Sequence, residues 1–160
     1  EAMWREPEDR VRGRRPGPGD MERTLGQTGP VTGWLGVTTP QDSALIDARK
    51  GLVMFEKVNV PVLGVVENMS LHICSQCGFH EPIFGTGGAQ KLVEDYHTQL
   101  LAQLPLHIDL REDLDEGEPT VIRRPDSEFT ALYRQLAGRV AAQLYWQGDV
   151  IPGDIAFRAL

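Results

Sequence analysis

Two apolar runs on either side of an amphipathic stretch constrain the fold of this chain more than any other feature. Val31 to Thr38 is typical of a strand, and Val60 to Val66 is typical of a second, buried strand. Between them, Thr39, Pro40 and Asp42 suit the cap, first and third positions of a helix. Its apolar face is predicted to hold Ala44, Leu45, Ala48, Leu52 and Phe55. Strand, helix and strand make a βαβ unit, so we predict an α/β fold with a partial parallel sheet flanked by helices.

The rest of the chain continues this alternation. Thr86 is predicted to cap a helix that runs through Tyr96, and Leu100 to Leu104 is predicted to form a third strand that ends at Pro105. The later segments are predicted to be a polar loop or short helix at 109–117, a brief extended piece at Val121 and Ile122, and a long helix that begins at Pro125-Asp126-Ser127.

Length and charge narrow the class of protein. A chain of 160 residues suits one domain, and 41% hydrophobic residues are enough for a core. A net charge of -7 argues against general binding to nucleic acid or an anionic membrane, because such binders carry a basic footprint. No apolar run approaches the ~20 residues that span a bilayer, and the N-terminus does not resemble a secretory signal. A cytoplasmic protein is expected.

Residues 1–19 differ from the rest of the sequence. Residues 1–23 contain six of the 16 basic residues, and proline and glycine are frequent there. No helical or strand periodicity is visible, so 1–19 is predicted to be disordered or non-homologous and 20–160 to form the domain. An arginine-rich arm that binds an acidic partner is the alternative to a solvated tail.

The two cysteines of the chain, Cys74 and Cys77, are spaced C-x-x-C between His72 and His80. Two thiolates this close in sequence can share one metal centre, but tetrahedral zinc and a [4Fe-4S] cluster each need four ligands. The histidines could complete a zinc site, or the cysteines could form a redox disulfide. Alternatively, two chains could each give two thiolates to one cluster across a two-fold axis. A pair with no special role remains the fourth interpretation.

Two further features bear on nucleotide binding. Gly85-Thr86-Gly87-Gly88 looks like a phosphate loop, but it lacks the Lys-Ser/Thr pair, so a glycine-rich helix start is favoured. Asn68, just past a strand, could recognise a nucleobase edge. A lone asparagine is more often a turn or cap residue.

Several motifs together carry a specific resemblance that covers about residues 16–160. They are Thr38-Thr39-Pro40-Gln41-Asp42, Asp47-Ala48-Arg49-Lys50-Gly51, Gly64-Val65-Val66-Glu67-Asn68-Met69-Ser70, the C-x-x-C, and Glu81-Pro82-Ile83-Phe84-Gly85-Thr86-Gly87-Gly88. With them the sequence resembles the C-terminal part of the Mrp/ApbC iron–sulfur cluster carriers. These carriers are a branch of the ParA/MinD-like P-loop ATPases.

The resemblance implies a homodimer that holds a bridging [4Fe-4S] cluster and passes it to apo iron–sulfur proteins. Cys74 and Cys77 match the cluster ligands of the family. The family also binds and hydrolyses ATP with Mg2+. Asn68 matches the position that faces adenine, and Pro105 lies near the same base. No catalytic residue is assigned.

The chain departs from the family pattern at its N-terminus. The family's phosphate loop has no counterpart in residues 1–30, and Gly13 stands where the Mg2+-binding aspartate belongs. Because ATP phosphates would have no cradle, we expect no ATP hydrolysis by this chain alone. The missing strands would also leave one edge of Val31 to Val37 unpaired. A zinc-stabilised interaction module that uses the same cysteines and an inactive truncated fragment are the alternative functions.

Overall fold

A four-stranded sheet organises the fold. The computed structural model describes Val11, Gly13 and residues 31–146, with only the backbone at position 146. The strands are β1 (Trp34–Thr38), β2 (Val62–Ile73), β3 (His80–Glu81) and β4 (Leu100–Leu106). The helices are α1 (Asp42–Lys57), α2 (Gly88–Asp95), α3 (Ile108–Asp115), α4 (Thr120–Arg123) and α5 (Glu128–Trp146).

Strand β2 is the centre of the sheet. It pairs in parallel with β1 and with β4, which confirms the predicted βαβ unit. β3 pairs antiparallel with the end of β2, where His72 lies opposite Glu81. Because His72 also pairs with Leu106 of β4, β3 occupies the edge of β2 that β1 has left. The sheet is therefore mixed, and its parallel part is the predicted one.

Helices cover both faces of the sheet. Successive residues of a strand point to opposite faces, so Val65 and Val66 belong to two separate apolar clusters. On the Val65 face, α1 and α2 contribute Ala48, Leu52, Ala89, Leu92 and Val93. On the Val66 face, α5 contributes Leu132, Tyr133, Leu136 and Val140. The long C-terminal helix therefore packs on this face of the sheet, with Leu132, Leu136 and Val140 spaced four residues apart along it.

Helix α5 begins where its sequence predicts. The backbone N–H of Thr130 donates to the Ser127 hydroxyl oxygen at 3.1 Å, which caps the first turn. Phe129 is buried in that turn and lies against the His107 ring, with ring centroids 4.9 Å apart. The polar start Pro125-Asp126-Ser127 therefore fixes the helix, and the apolar residue after it anchors the helix.

Strand β2 is longer than predicted. It continues to Ile73, so Glu67, Asn68 and Ser70 lie within the strand and not beyond its end. The extension follows from pairing with β4, where the Ser70 hydroxyl donates to the Leu104 carbonyl at 3.1 Å. Polar side chains alone do not end a strand whose backbone has a partner along its length.

Three local predictions were wrong. α1 begins at Asp42 after Gln41, so Thr39 and Pro40 lie outside the helix. α2 follows Gly87, in a left-handed conformation at φ 74°, and Thr86 provides no side-chain cap. Val121 and Ile122 are helical, not extended, because the Ile122 N–H donates to the Pro119 carbonyl at 2.8 Å.

The outer edge of β1 is unpaired among the described residues, as predicted for Val31 to Val37. Val37 is 61% exposed. The predicted disordered segment 1–19 lies outside the described residues except for Val11 and Gly13, and so does the chain beyond 146. No helix within the described part of the chain is long and apolar enough to cross a membrane.

Candidate functional site

The two cysteines lie at the tip of the β2–β3 hairpin. Cys74 directly follows β2, and residues 75–77 form the turn. The Cys74 N–H donates to the Phe79 carbonyl at 3.0 Å, and the Gly78 N–H donates to the Cys74 carbonyl at 2.8 Å. Gly78 has φ 70°, a left-handed conformation that favours glycine. Backbone hydrogen bonds and this glycine therefore hold Cys74 and Cys77 in one tight turn.

The turn also stabilises negative charge on sulfur. Backbone hydrogen bonds from Gln76 and Cys77 lower the pKa of the Cys74 thiol below its ordinary value, and a hydrogen bond with the Cys77 side chain adds to them. Partial burial opposes this shift only weakly. Both cysteines are free, and Cys77 is exposed. A thiolate is the form of cysteine that binds metals, so the turn prepares a ligand that solvent can reach.

The flanking histidines do not complete a site with the cysteines. Across the hairpin, His72 pairs with Glu81 and His80 pairs with Ile73, so the two imidazoles lie on opposite faces. Within residues 31–146, no group of three or more His, Cys, Asp or Glu side chains is arranged to hold a metal ion. The single-chain Cys2His2 zinc site that we considered is therefore not assembled.

The redox interpretation gains little from the structure. Reactive C-x-x-C pairs of the thioredoxin type sit at a helix N-terminus, which lowers the thiol pKa. Here β3 follows the turn, and backbone N–H groups of the turn itself lower the Cys74 pKa. The ligand role of Cys74 and Cys77 stays a prediction, now with a defined geometry.

Asn68 and Pro105 come together on neighbouring strands. Asn68 pairs with Leu104 of β4, the residue before Pro105. The Asn68 Oδ1 accepts the Met69 N–H at 3.0 Å, and Pro105 is buried. Ligands of open parallel sheets bind beyond the carboxyl ends of the strands, and this is the same end from which the cysteine hairpin extends. Their contact with adenine stays a prediction.

Glu67 is the site residue to which sequence reasoning gave no role. It is only 1% exposed. Its Oε2 accepts the Ala89 N–H at 3.1 Å, and its Oε1 accepts Nε2 of Gln103 at 2.8 Å. A charged residue directly after a buried apolar run was the available signal, because a buried carboxylate needs partners.

The glycine-rich segment before α2 is a helix start, as favoured from the sequence. The Ala89 N–H in its first turn donates to the Glu67 carboxylate, at the end of the helix where a phosphate binds in a phosphate loop. A Cβ on Gly88 would lie 2.6 Å from Leu45 Cδ1 and 2.7 Å from the Pro40 carbonyl oxygen. The glycine therefore allows α2 to pack closely against the start of α1.

Comparison with protein families agrees with this arrangement. The ParA model, described as NUBPL iron-transfer P-loop NTPase, matches residues 13–141. The chain belongs to this family. The C-x-x-C turn, Asn68 and Pro105 all lie within residues 13–141, the range that the family model matches.

Named relatives carry consistent descriptions. The chain is 71% identical over 160 residues to an iron-sulfur cluster carrier protein of Salmonella typhimurium, and the match covers 100% of this chain and 43% of the relative. It is 44% identical over 129 residues to the iron-sulfur cluster transfer protein NUBPL of Mus musculus, with 81% and 40% covered. The chain thus spans less than half the length of these relatives.

Solved structures support the fold. A nucleotide-binding protein of Archaeoglobus fulgidus in complex with ADP matches with a TM-score of 0.57 and 29% identity, over 70% of this chain and 45% of that chain. The cell division ATPase MinD of Pyrococcus furiosus matches with a TM-score of 0.51 and 24% identity, over 68% and 42%. The predicted α/β architecture of the C-terminal part of a MinD-like fold is confirmed.

Proposed function

We propose that this chain is the C-terminal part of an iron–sulfur cluster carrier that binds a cluster through Cys74 and Cys77 and transfers it to apoproteins. The observation that carries the proposal is the hairpin turn, which gathers both thiols at an accessible tip and favours the thiolate of Cys74. The family and the names of the relatives support the same chemistry.

A homodimer would supply the number of ligands that the cluster needs. A [4Fe-4S] cluster takes four thiolates, and one chain supplies two. A second copy placed about a two-fold axis would bring the same two cysteines to the same point, which is how an isologous interface works. The cluster is cargo in this scheme, so its ligands must also release it. A shared, exposed site at the tip of a hairpin suits transfer because cysteines of a recipient can approach it.

Nucleotide binding is the second part of the proposal. Asn68 and Pro105 would lie at the adenine of ATP, because Asn68 matches the family position that faces adenine and Pro105 lies near the same base. The phosphates and Mg2+ need the backbone and lysine of a phosphate loop, and the 160 residues contain no such motif. We therefore expect this chain alone not to hydrolyse ATP. Measurable single-turnover hydrolysis by the purified chain would contradict this expectation.

The experiment that tests cluster binding is anaerobic reconstitution with iron and sulfide, followed by absorption spectra, iron and zinc counts and mass in solution. A brown dimer with about four irons per two chains is expected from a bridging [4Fe-4S] site. Cys74→Ser/Cys77→Ser should bind no iron and remain monomeric. His72→Ala/His80→Ala is the matched control and should behave as wild type.

The alternatives give different results in the same experiment. A colourless product that retains zinc would support the zinc-stabilised module. A chain that folds but binds neither metal would support the inactive fragment. We place the carrier in the cytoplasm, where reducing conditions keep both thiols available.

A further inference from the structure

Glu67 joins three elements at the base of the cysteine hairpin. The residue lies on β2, accepts a hydrogen bond from the first turn of α2 and accepts another from Gln103 of β4. Val66, one residue earlier, faces α5, so the Glu67 side chain lies on the α1–α2 face. Glu67 is buried and touches neither cysteine through its hydrogen bonds, so its contacts with Ala89 and Gln103 need an explanation within the fold.

Residues 68–88, here called the cysteine segment, contain the end of β2, the cysteine turn and β3, and they lead into α2. The hydrogen bond from the Ala89 N–H to Glu67 joins residues 22 positions apart and closes this segment at its base. β1 pairing ends where Thr38 lies opposite Glu67. Beyond that point, the end of β2 pairs with β4 on one side and with the two-residue strand β3 on the other.

The return of the segment depends on Glu67 because α2 lacks a cap of its own. Gly87 precedes the helix and has no side chain to accept its first N–H groups. Glu67 accepts one of them from β2, and its negative charge also interacts favourably with the positive end of the helix dipole. One side chain therefore fixes the distance between the outgoing strand and the returning helix.

We propose that Glu67 is a positioning residue that holds the cysteine segment closed and thereby keeps Cys74 and Cys77 ready to bind the cluster. The effect on cluster binding rests on the proposed function, but the effect of Glu67 on the cysteine segment does not depend on metal. Groups that hydrogen-bond to metal ligands commonly change metal retention about 10–100-fold when removed. Glu67 touches neither cysteine and acts through the backbone of the cysteine segment, so we expect an effect at the lower end of that range.

The test compares Glu67→Ala, Glu67→Gln and the control Asp113→Ala in the full 160-residue chain. Asp113 is the matched control because it is a buried acid whose partners Thr120, Arg123 and Arg124 lie outside the cysteine segment. Two quantities are measured: amide hydrogen exchange of residues 68–88 without metal, and the rate of iron loss to a chelator after reconstitution.

We expect Glu67→Ala to speed exchange in residues 68–88 and to speed iron loss by about 10-fold or more. Glu67→Gln should stay near wild type, because the amide oxygen can accept from Ala89 while Gln103 rotates to accept from the new amide group. Asp113→Ala should lower the urea midpoint without changing either quantity. If Glu67→Ala does not fold, Glu67→Asp replaces it, because the shorter side chain keeps the charge but loses reach to Ala89.

Equal exchange and equal iron loss in the Glu67 variant and the Asp113 control would overturn the inference, and so would a Glu67→Gln variant that fails to restore both. Failure of the proposed function looks different. In that case the wild-type chain takes up no iron, and the metal-free exchange of residues 68–88 still decides whether Glu67 closes the segment.

Discussion

The cysteine turn and the α3–α4 region stabilise negative charge in opposite ways. In the α3–α4 region, Asp113 is fully buried and accepts from the Thr120 hydroxyl at 2.7 Å and from Nε of Arg124 at 3.1 Å. In the turn, Cys74 receives backbone hydrogen bonds, while its neighbour Cys77 remains exposed. One charge is enclosed by its partners, and the other stays open to a further ligand.

The balance between burial and hydrogen bonding differs between Asp113 and Cys74. Burial raises the pKa of Asp113, but the hydrogen bond from Thr120 and the charges of Arg124 and Arg123 outweigh burial and hold the pKa below its ordinary value. Burial matters little for the Cys74 pKa, because the turn lies near solvent. The buried charge of Asp113 stabilises the fold. The charge on Cys74 remains available to a further ligand, so the two regions differ in function.

The largest expected effect is the loss of iron on replacing either cysteine. Cys74→Ser or Cys77→Ser should each lower retained iron by at least about 10-fold, because a bridging site loses two of its four ligands in the dimer. Stability should change by no more than about 0.5 kcal/mol, since the turn is at the surface. Iron per chain and urea unfolding measure the two quantities. A variant that keeps most of its iron would contradict the ligand role of the cysteine that was replaced.

Replacing Asp113 should have the reverse pattern. Asp113→Asn should lower the urea midpoint at neutral pH while iron uptake stays unchanged, because the amide keeps an acceptor for Thr120 but loses its attraction to Arg124.

The pH dependence of this effect follows from the direction of the pKa shift. A carboxyl with a depressed folded-state pKa stabilises the fold fully above the unfolded-state value near 3.8 and loses that contribution as pH falls through the lower folded-state value. The midpoint difference between wild type and Asp113→Asn should therefore shrink as acid unfolding is approached. A difference that stays constant below pH 3.8 would contradict the assignment.

Substitutions of two glycines separate the effect of helix packing from the effect of turn geometry. Gly88→Ala should cost about 1–3 kcal/mol, because its Cβ would overlap Leu45 and the Pro40 carbonyl. Gly78→Ala meets nothing within 4 Å but strains φ 70°, at about 1–2 kcal/mol. We expect urea unfolding to report the first change more strongly and iron retention to report the second. Gly88 adjoins the Ala89 N–H that donates to Glu67, so some loss of iron in Gly88→Ala is expected from opening of the cysteine segment, and a larger loss than in Gly78→Ala would contradict the expected order.

The contrast also explains what the sequence could and could not predict. Periodicity predicted the βαβ unit and the long helix, because each depends on local spacing of apolar residues. The predicted end of β2 was wrong, because β2 stays paired with β4 as far as His72 and Leu106, which lie far apart in the chain. The role of Glu67 was missed for the same reason, since its partner Ala89 is reached only after the hairpin returns.

Val121 shows how the hydrogen bonds of a segment override the conformational preference of a single residue. β-Branched residues favour strands. The segment nevertheless forms α4, because the preceding Pro119 carbonyl accepts from Ile122 and the Thr120 hydroxyl is bound to buried Asp113. The cysteine turn was predictable as a candidate because its chemistry lies in the residue types. Its geometry was not, since the backbone donors that lower the Cys74 pKa depend on the conformation of the turn.

The smallest expected effect concerns the source of the lowered pKa of Cys74. Alkylation of Cys74 should reach half its maximal rate at a lower pH in the folded chain than in urea, where the thiol regains its ordinary value near 9.0. In Cys77→Ala, the Gln76 N–H and the backbone N–H at position 77 remain, so most of the difference should persist. Mass spectrometry of alkylated peptides across a pH series measures both midpoints. If Cys77→Ala removed the whole difference, the neighbouring thiol would be its source, and the turn would need both cysteines to prepare either one.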